Sequence, residues 1–458
     1  MKKAISLFMA VVLMLGILAG CSSSTQDTPE TTKAPTQNET PATTADTTPA
    51  GGEEEVLEIG IVCPLSSTHA ATNGWLTSAF ETAAKIINEE RGGIVGRKVH
   101  YSLYDPESDS ATLKQRLTDI KNSGAICALA VVNDALAPAA AQWASENSFP
   151  VFLTANTSTQ VTLGNYSDYA FSVGKNAWGF AKVLALHCVG EEGKKNFCFV
   201  GTDGAATIDA ENFLIYEGQK IDPEFEMLAS YRIGFNDTEF SNVIAAATSK
   251  QPEMILQQGG GPNFVAFCQQ ASLFGLFDYC DVYNDLVTDA STNQPLIEGN
   301  EFPYGHTNGI FNLPFWDKDL ITGDLAHFIE VWNTTDFAKE GWLFADNSML
   351  QYYIWTALEQ AVTNIINSGA DVHDPETVAK AIAEVSWTDC LGEHHFRVGL
   401  DNQLTVPMFF GTSAQSDEWP GVAICEEYDA YEADEYLPTA EEMKAWGLEH
   451  GYDVSRFN

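Results

Sequence analysis

Polar and glycine-rich loops recur in this chain directly after short apolar runs: residues 64–74, 132–136, 155–158, 202–208, 259–263 and 284–288. They carry hydroxyls, amides and carboxylates drawn from both halves of the chain. That is equipment for holding a small ligand, and it lacks the groupings that catalysis needs. There is no Gly-x-Ser-x-Gly elbow and no His-Glu-x-x-His pair, so neither an activated serine nor a helix-borne zinc site is encoded. The nine histidines are scattered. His394 and His395 are adjacent on a strand-like run, where neighbouring side chains point to opposite faces and chelate poorly. The glycine run 259–261 is followed by Pro-Asn, without the Lys-Ser/Thr of a phosphate loop. An exported hydrolase is therefore disfavoured, and no cofactor or metal is expected.

The elements that position these loops alternate. Residues 56–62, 98–105, 125–131 and 151–154 read as strands. Helical spacing marks 75–91 (Leu76, Phe80, Ala83, Ile87), a segment around Leu113, Leu117 and Ile120, and 136–146. The rhythm repeats with strands at 196–200, 226–233, 254–258 and 279–283 and helices at 206–219, 239–249 and 263–275. Two late helices follow at 350–368 and 375–385, the second opened by Asp374 as cap with Pro375 behind it. Residues 390–425 read as antiparallel strands, and a short helix is expected near 439–446. Such alternation builds parallel sheets covered by helices, with ligands at the carboxyl ends of the strands.

Composition sets the frame. A formal charge of −40, from 63 acidic and 23 basic residues, argues against nucleic-acid binding, which needs a basic surface. The first residues, Met-Lys-Lys and an apolar run to Ala19, read as a secretory signal. Leu18-Ala-Gly-Cys21 resembles a bacterial lipobox, which would make Cys21 the acylated first residue of the mature chain and tether the protein to the membrane from outside. Residues 22–55, rich in Thr, Pro, Glu and Ala without a large apolar residue, read as a disordered stalk. The roughly 400 residues that follow exceed one typical core, so two lobes are expected. Eight further cysteines form no Cys-x-x-Cys pair. They read as buried thiols, with Cys390–Cys425 the foremost candidate should a disulfide form.

Several motifs now coincide in order: residues 59–66 (Ile-Gly-Ile-Val-Cys-Pro-Leu-Ser), 92–97 (Gly-Gly-Ile-Val-Gly-Arg), Tyr104-Asp105, 150–158 (Pro-Val-Phe-Leu-Thr-Ala-Asn-Thr-Ser), 234–240 (Gly-Phe-Asn-Asp-Thr-Glu-Phe) and the late helix 352–369. Together, over about 56–410, they resemble the leucine/isoleucine/valine-binding protein family, the solute-binding components of amino-acid ABC importers. The resemblance implies an α/β type I periplasmic-binding fold: two Rossmann-like lobes with parallel sheets, three interlobe crossovers and a ligand cleft between. It places residues 56–174 and 310–392 in an N-terminal lobe, 175–309 and 393–430 in a C-terminal lobe, and leaves 431–458 as an acidic appendage.

By the same resemblance, an amino-acid carboxylate meets the loop Ala155-Asn156-Thr157 and Asn133. Asp285 receives the ammonium. Thr207 and Gly260 stand in loops where the family often has tyrosines, and Asn73 and Trp75 near a third aromatic position. Simpler roles stand beside these: Thr157 capping the next helix, Asp285 facing solvent, Trp75 in the core, Asp134 capping the helix near Leu136. Asp134 would repel a carboxylate. The expected protein is a monomeric, extracytoplasmic lipoprotein that captures an amino acid and delivers it to ABC permease subunits. A sensing receptor, or a binder of an amide or aromatic carboxylate, is the alternative.

Overall fold

The computed structural model describes residues 55–66, 73–154, 158–234, 237–344 and 346–457. Strands β1 (Leu57–Val62), β2 (Val99–Tyr104), β3 (Cys127–Ala130), β4 (Val151–Leu153) and β5 (Ala170–Ser172) form an all-parallel sheet in the order β2-β1-β3-β4-β5. Helices α1 (Asn73–Lys85), α2 (Ser110–Asn122) and α3 (Ala137–Asn147) connect them. Strands β3 and β4 are buried and apolar on both faces because both faces are covered. Along β3, Cys127 and Leu129 enter one core while Ala128 and Ala130 enter the other, the period-2 alternation of a strand.

A second sheet repeats the plan. Strands β6 (Asn196–Gly201), β7 (Glu226–Arg232), β8 (Met254–Gln258), β9 (Asp281–Asn284) and β10 (Thr307–Phe311) are parallel, joined through α4 (Ala177–Leu184), α5 (Ala205–Ile221), α6 (Ser241–Thr248), α7 (Gly261–Leu273) and α8 (Ala290–Glu298). In β6, Phe197 and Phe199 face one core and Cys198 and Val200 the other. Helices α9 (Gly323–Trp332), α10 (Asp336–Lys339), α11 (Asp346–Ser368) and α12 (Pro375–Ala383) return to the first lobe. There Leu325, Phe328, Tyr353, Leu358 and Val378 join the core of Ile59 and Leu129. A hairpin of β11 (Ser386–Asp389) and β12 (Gly392–His395) follows. Strands β13 (Met408–Thr412) and β14 (Tyr428–Tyr431) then extend the second sheet antiparallel, in the order β14-β13-β10-β9-β8-β6-β7. Among the described residues the chain thus passes between the lobes three times: after β5, after β10 and after β12.

The C-terminal segment is part of the second lobe's core. Helices α13 (Ala433–Tyr436) and α14 (Ala440–His450) bury Tyr436, Met443 and Trp446. Trp446 lies against Trp178 and Phe213, with ring centroids at 5.6 and 4.5 Å. Most of its acidic residues face outward, so an acidic stretch in sequence is an amphipathic element in space.

The eight described cysteines form no disulfide with one another, and seven of them are buried; Cys390 is not joined to Cys425. Cys425 sits in the core under Gly411, whereas Cys390 is half-buried beside Thr322. His394 is buried between Thr405 and Asp389, 2.8 Å from each, and His395 is exposed, on opposite faces as a strand requires. Among the described residues, no helix is long and apolar enough to cross a membrane.

Candidate functional site

The carboxyl ends of the strands in both lobes converge on two adjoining spaces. The first is a chamber of about 660 Å³ in the first lobe, open on one side. Apolar Leu76, Val131, Val132, Leu136 and Leu350 dominate its wall, with Asn133, Thr154 and Gln351 among them. The second is a recess of about 300 Å³ lined by Asp134 from the first lobe, Lys175 from the segment between lobes, and Thr207, Gln258 and Asp285 from the second. Asn133 and Asp134 are consecutive, so one turn of chain forms part of both walls.

Each polar group in the recess is placed by a strand end or a helix start. Asp285 follows β9, and its carboxylate accepts from Gln258 Nε2 at 3.4 Å. Gln258 is the last residue of β8, which ends on two glutamines after Met-Ile-Leu. Lys175 Nζ donates to the backbone carbonyls of Asp285 and Ile310 at 3.3 and 3.4 Å. Thr207, in the first turn of α5, lies with its hydroxyl 3.3 Å from that of Thr202. Asp134 reaches the second lobe: its Oδ2 is 3.8 Å from where a Cβ on Gly204 would stand. Burial, and then the charge of Asp285, push the Asp134 carboxyl up to about 6, because neither desolvation nor a like charge tolerates the anion.

The sequence-derived residues separate into groups. Thr207 and Asp285 come together in the recess, and Asn133 lines the chamber next to it. Asn133 also plays a structural part, since its Oδ1 accepts from the Leu136 N–H at 3.2 Å. The turn before α3 is therefore held by Asn133, whereas Asp134, which the sequence suggested for that cap, faces the other lobe. Trp75 is brought elsewhere. It is 3% exposed, its indole N–H donates to Leu343 O at 2.9 Å, and its ring stands edge-on to Phe337 and Trp342. Those contacts make it a core residue. Gly260 caps α7, with its N–H donating to Asn263 Oδ1 at 3.1 Å, and does not line the recess. Asn73 begins α1; its side chain, together with Ala155, Thr157 and Cys21, lies outside what is described.

Sequence reasoning passed over Lys175, Gln258 and Gln351. Gln258 had a signal, an amide closing a strand. Lys175 lies in a stretch with no clear period, and Gln351 reads as one polar residue on a long helix. Gln351 is wholly buried on the chamber wall, and neither its Nε2 nor its Oε1 has a hydrogen-bond partner among the described residues.

A family model described as periplasmic binding protein matches residues 56–418. A comparison with curated protein sequences finds no match. Among solved structures, the fold is shared with a leucine-, isoleucine-, valine-, threonine- and alanine-binding protein from Brucella ovis in a closed conformation (16% identity, 84% of this chain and 97% of that one, TM-score 0.71). It is shared with a branched chain amino acid ABC transporter periplasmic ligand-binding protein from Burkholderia xenovorans (16% identity, 84% and 98%, TM-score 0.68). A third is an ABC transporter solute binding protein from R. palustris in complex with benzoate (15% identity, 82% and 98%, TM-score 0.66). These likenesses agree with the two sheets, one parallel and one mainly parallel, and the strand-end cleft. With a family match that spans both lobes, the chain belongs to the periplasmic binding protein family, of type I fold.

Proposed function

We propose that the protein is the extracytoplasmic solute-binding component of an ABC importer. It captures an amino acid or a related amine-bearing solute between its lobes and hands it to membrane permease subunits. The observation that carries this reading is the recess itself. Asp285 and Gln258 from the second lobe face Asp134 of the first across a recess with room for a water-sized group such as an ammonium. An ammonium on Asp285 makes charge-assisted hydrogen bonds, and a side chain of moderate size suits the apolar chamber beside it. Lobes that each supply part of a site close on ligand by hinge motion. Two of the similar structures are named for amino acids, in keeping with this assignment. The apolar wall of the chamber keeps an aromatic solute as the second reading, since one similar protein holds benzoate.

A tether completes the proposal. Cys21 in the Leu-Ala-Gly-Cys junction carries lipid and holds the binder at the outer face of the membrane. Replacing Cys21 by Ala should move the protein from the membrane fraction to the medium; retention at the membrane would refute the anchor.

The test of solute binding is a thermal-shift panel of amino acids, amines and aromatic acids, followed by small-angle scattering. A ligand at 100 times its Kd should stabilise the protein by about 2.7 kcal/mol and contract it. If no solute in the panel does both, the solute-binding reading fails.

A further inference from the structure

We infer that Asp134 and Asp285, one from each lobe, share a single ammonium group of the solute, so that the ligand's positive charge is what draws the cleft shut. The inference rests on the solute-binding reading above and specifies which part of the solute enters the recess.

The recess contains two carboxylates and one lysine, an excess of one negative charge. Lys175 donates from Nζ to the backbone carbonyls of Asp285 and Ile310. The remaining lining is apolar Ala177, Phe180, Ala206 and Ala210 with two polar residues that can accept. Gln258 gives an N–H to Asp285, which leaves its Oε1 as an acceptor, and Thr207 adds a hydroxyl. An alkylammonium has three donors and no acceptor, and matches this set. A carboxylate in the same place would meet two like charges.

Geometry gives Asp134 its reach. It sits on the loop after β3 while Asn133 holds the helix-starting turn. Opposite it, Gly204 presents no side chain, and Asp134 Oδ2 comes within 3.8 Å of the position a Cβ would take. Without a cation the two carboxylates repel each other across the cleft. One cation between them turns that repulsion into attraction from both sides. The tail of the solute then extends past Asn133 along Leu76, Val131, Leu136 and Leu350 in the chamber.

Three probes that share an isobutyl group separate the outcomes: isoamylamine, leucine and 4-methylpentanoate, measured by calorimetry at pH 7.5 on the wild type and on Asp134→Asn, with melting curves to confirm that the variant folds. Isoamylamine and leucine are expected to bind and 4-methylpentanoate is not. Asp134→Asn should weaken both amine-bearing probes at least tenfold. The direction of the change separates the alternatives. If Asp134→Asn tightens leucine, Asp134 opposes a carboxylate and the shared ammonium is wrong. If it changes neither amine probe, Asp134 only shapes the loop, and the inference also fails. Binding of 4-methylpentanoate alone, or of none of the three, overturns it as well. Calcium chloride is the inorganic control; stabilisation by calcium without the amine would make the pair a metal site instead. The broader reading is judged apart, since contraction with any solute, 4-methylpentanoate included, leaves solute binding standing while the ammonium clamp falls.

Discussion

Asp209 of α5 accepts two hydrogen bonds from Thr159 of the first lobe, one from its backbone N–H at 2.6 Å and one from its hydroxyl at 2.9 Å. The Thr159 hydroxyl also lies 3.2 Å from Tyr452 of the C-terminal segment. A carboxylate from one lobe thus holds the start of a helical turn in the other, beside the cleft. Hydrogen bonds to charged groups are worth roughly 1.5–3 kcal/mol each. Asp209→Ala should therefore favour the open form and weaken solute binding by about tenfold to a hundredfold. Scattering of the ligand-free variant should give a larger radius than the wild type; an unchanged radius and Kd would show that the contact does not help hold the lobes together.

Asp134 predicts a pH dependence with the opposite sign to an ordinary salt-bridged carboxylate. Burial and the charge of Asp285 raise its folded-state value to about 6 from an ordinary 3.8. The closed protein then binds the proton more tightly than the open or unfolded chain, so closure weakens as pH rises from about 4 to 6 and the penalty is complete above that window. The charged groups that face it are Asp285 and Lys175. The ligand-free protein should be more closed at pH 5 than at pH 7, by scattering, and Asp134→Asn should flatten the dependence.

Gln351 should be a residue the ligand-free protein holds at a cost. Its amide is buried with both ends unpaired among the described residues, and an unsatisfied buried polar group costs about 1–3 kcal/mol. Gln351→Leu, similar in volume, is expected to raise the melting temperature of the ligand-free protein by a few degrees. A fall instead would mean that a solvent molecule or ligand group pairs with the amide.

Trp446 ties the C-terminal segment to the second lobe. It packs against Trp178, Phe213 and Tyr216 and is 8% exposed. Trp446→Ala should cost about 3 kcal/mol, measured by urea denaturation. A cost below about 1 kcal/mol would return residues 431–458 to the status of a loose appendage.

The alternation of apolar strands and amphipathic helices made the parallel strands of both sheets legible, because buried strands in such sheets are near-continuous apolar runs. Helix α12 was readable to its cap, where the Asp374 side chain accepts from Thr377 N–H. Residues 159–195 were not readable. Their helix is apolar nearly all round, from Ala177 to Leu184, and continues as a wider turn to Glu191, so no 3.6-residue period stands out. Strand β10 was missed too, since Thr-Asn-Gly-Ile-Phe carries little strand signal outside its sheet. Asp285 and Thr207, which the family resemblance singled out on loops after strands, both line the recess. Trp75 was misleading because a tryptophan at a helix start looks the same whether it faces a ligand or, as here, Phe337 and Trp342. Asp134 and Asn133 exchanged roles: both are fit to hold the turn before α3, and only their relative orientation decides which one faces the cleft.

The eight thiols of the described residues make unfolding a chemical event as well as a conformational one. Burial pushes Cys63, Cys280 and Cys425 up to about 12, so in the native state they hold almost no thiolate and are poor partners for oxidants or alkylating reagents. Unfolding removes that protection at once and in both lobes. Every opened chain becomes a set of ordinary thiols able to cross-link with itself and its neighbours. In an oxidising medium the native state is thus guarded kinetically: refolding competes with covalent scrambling, and a chain that loses the race does not return.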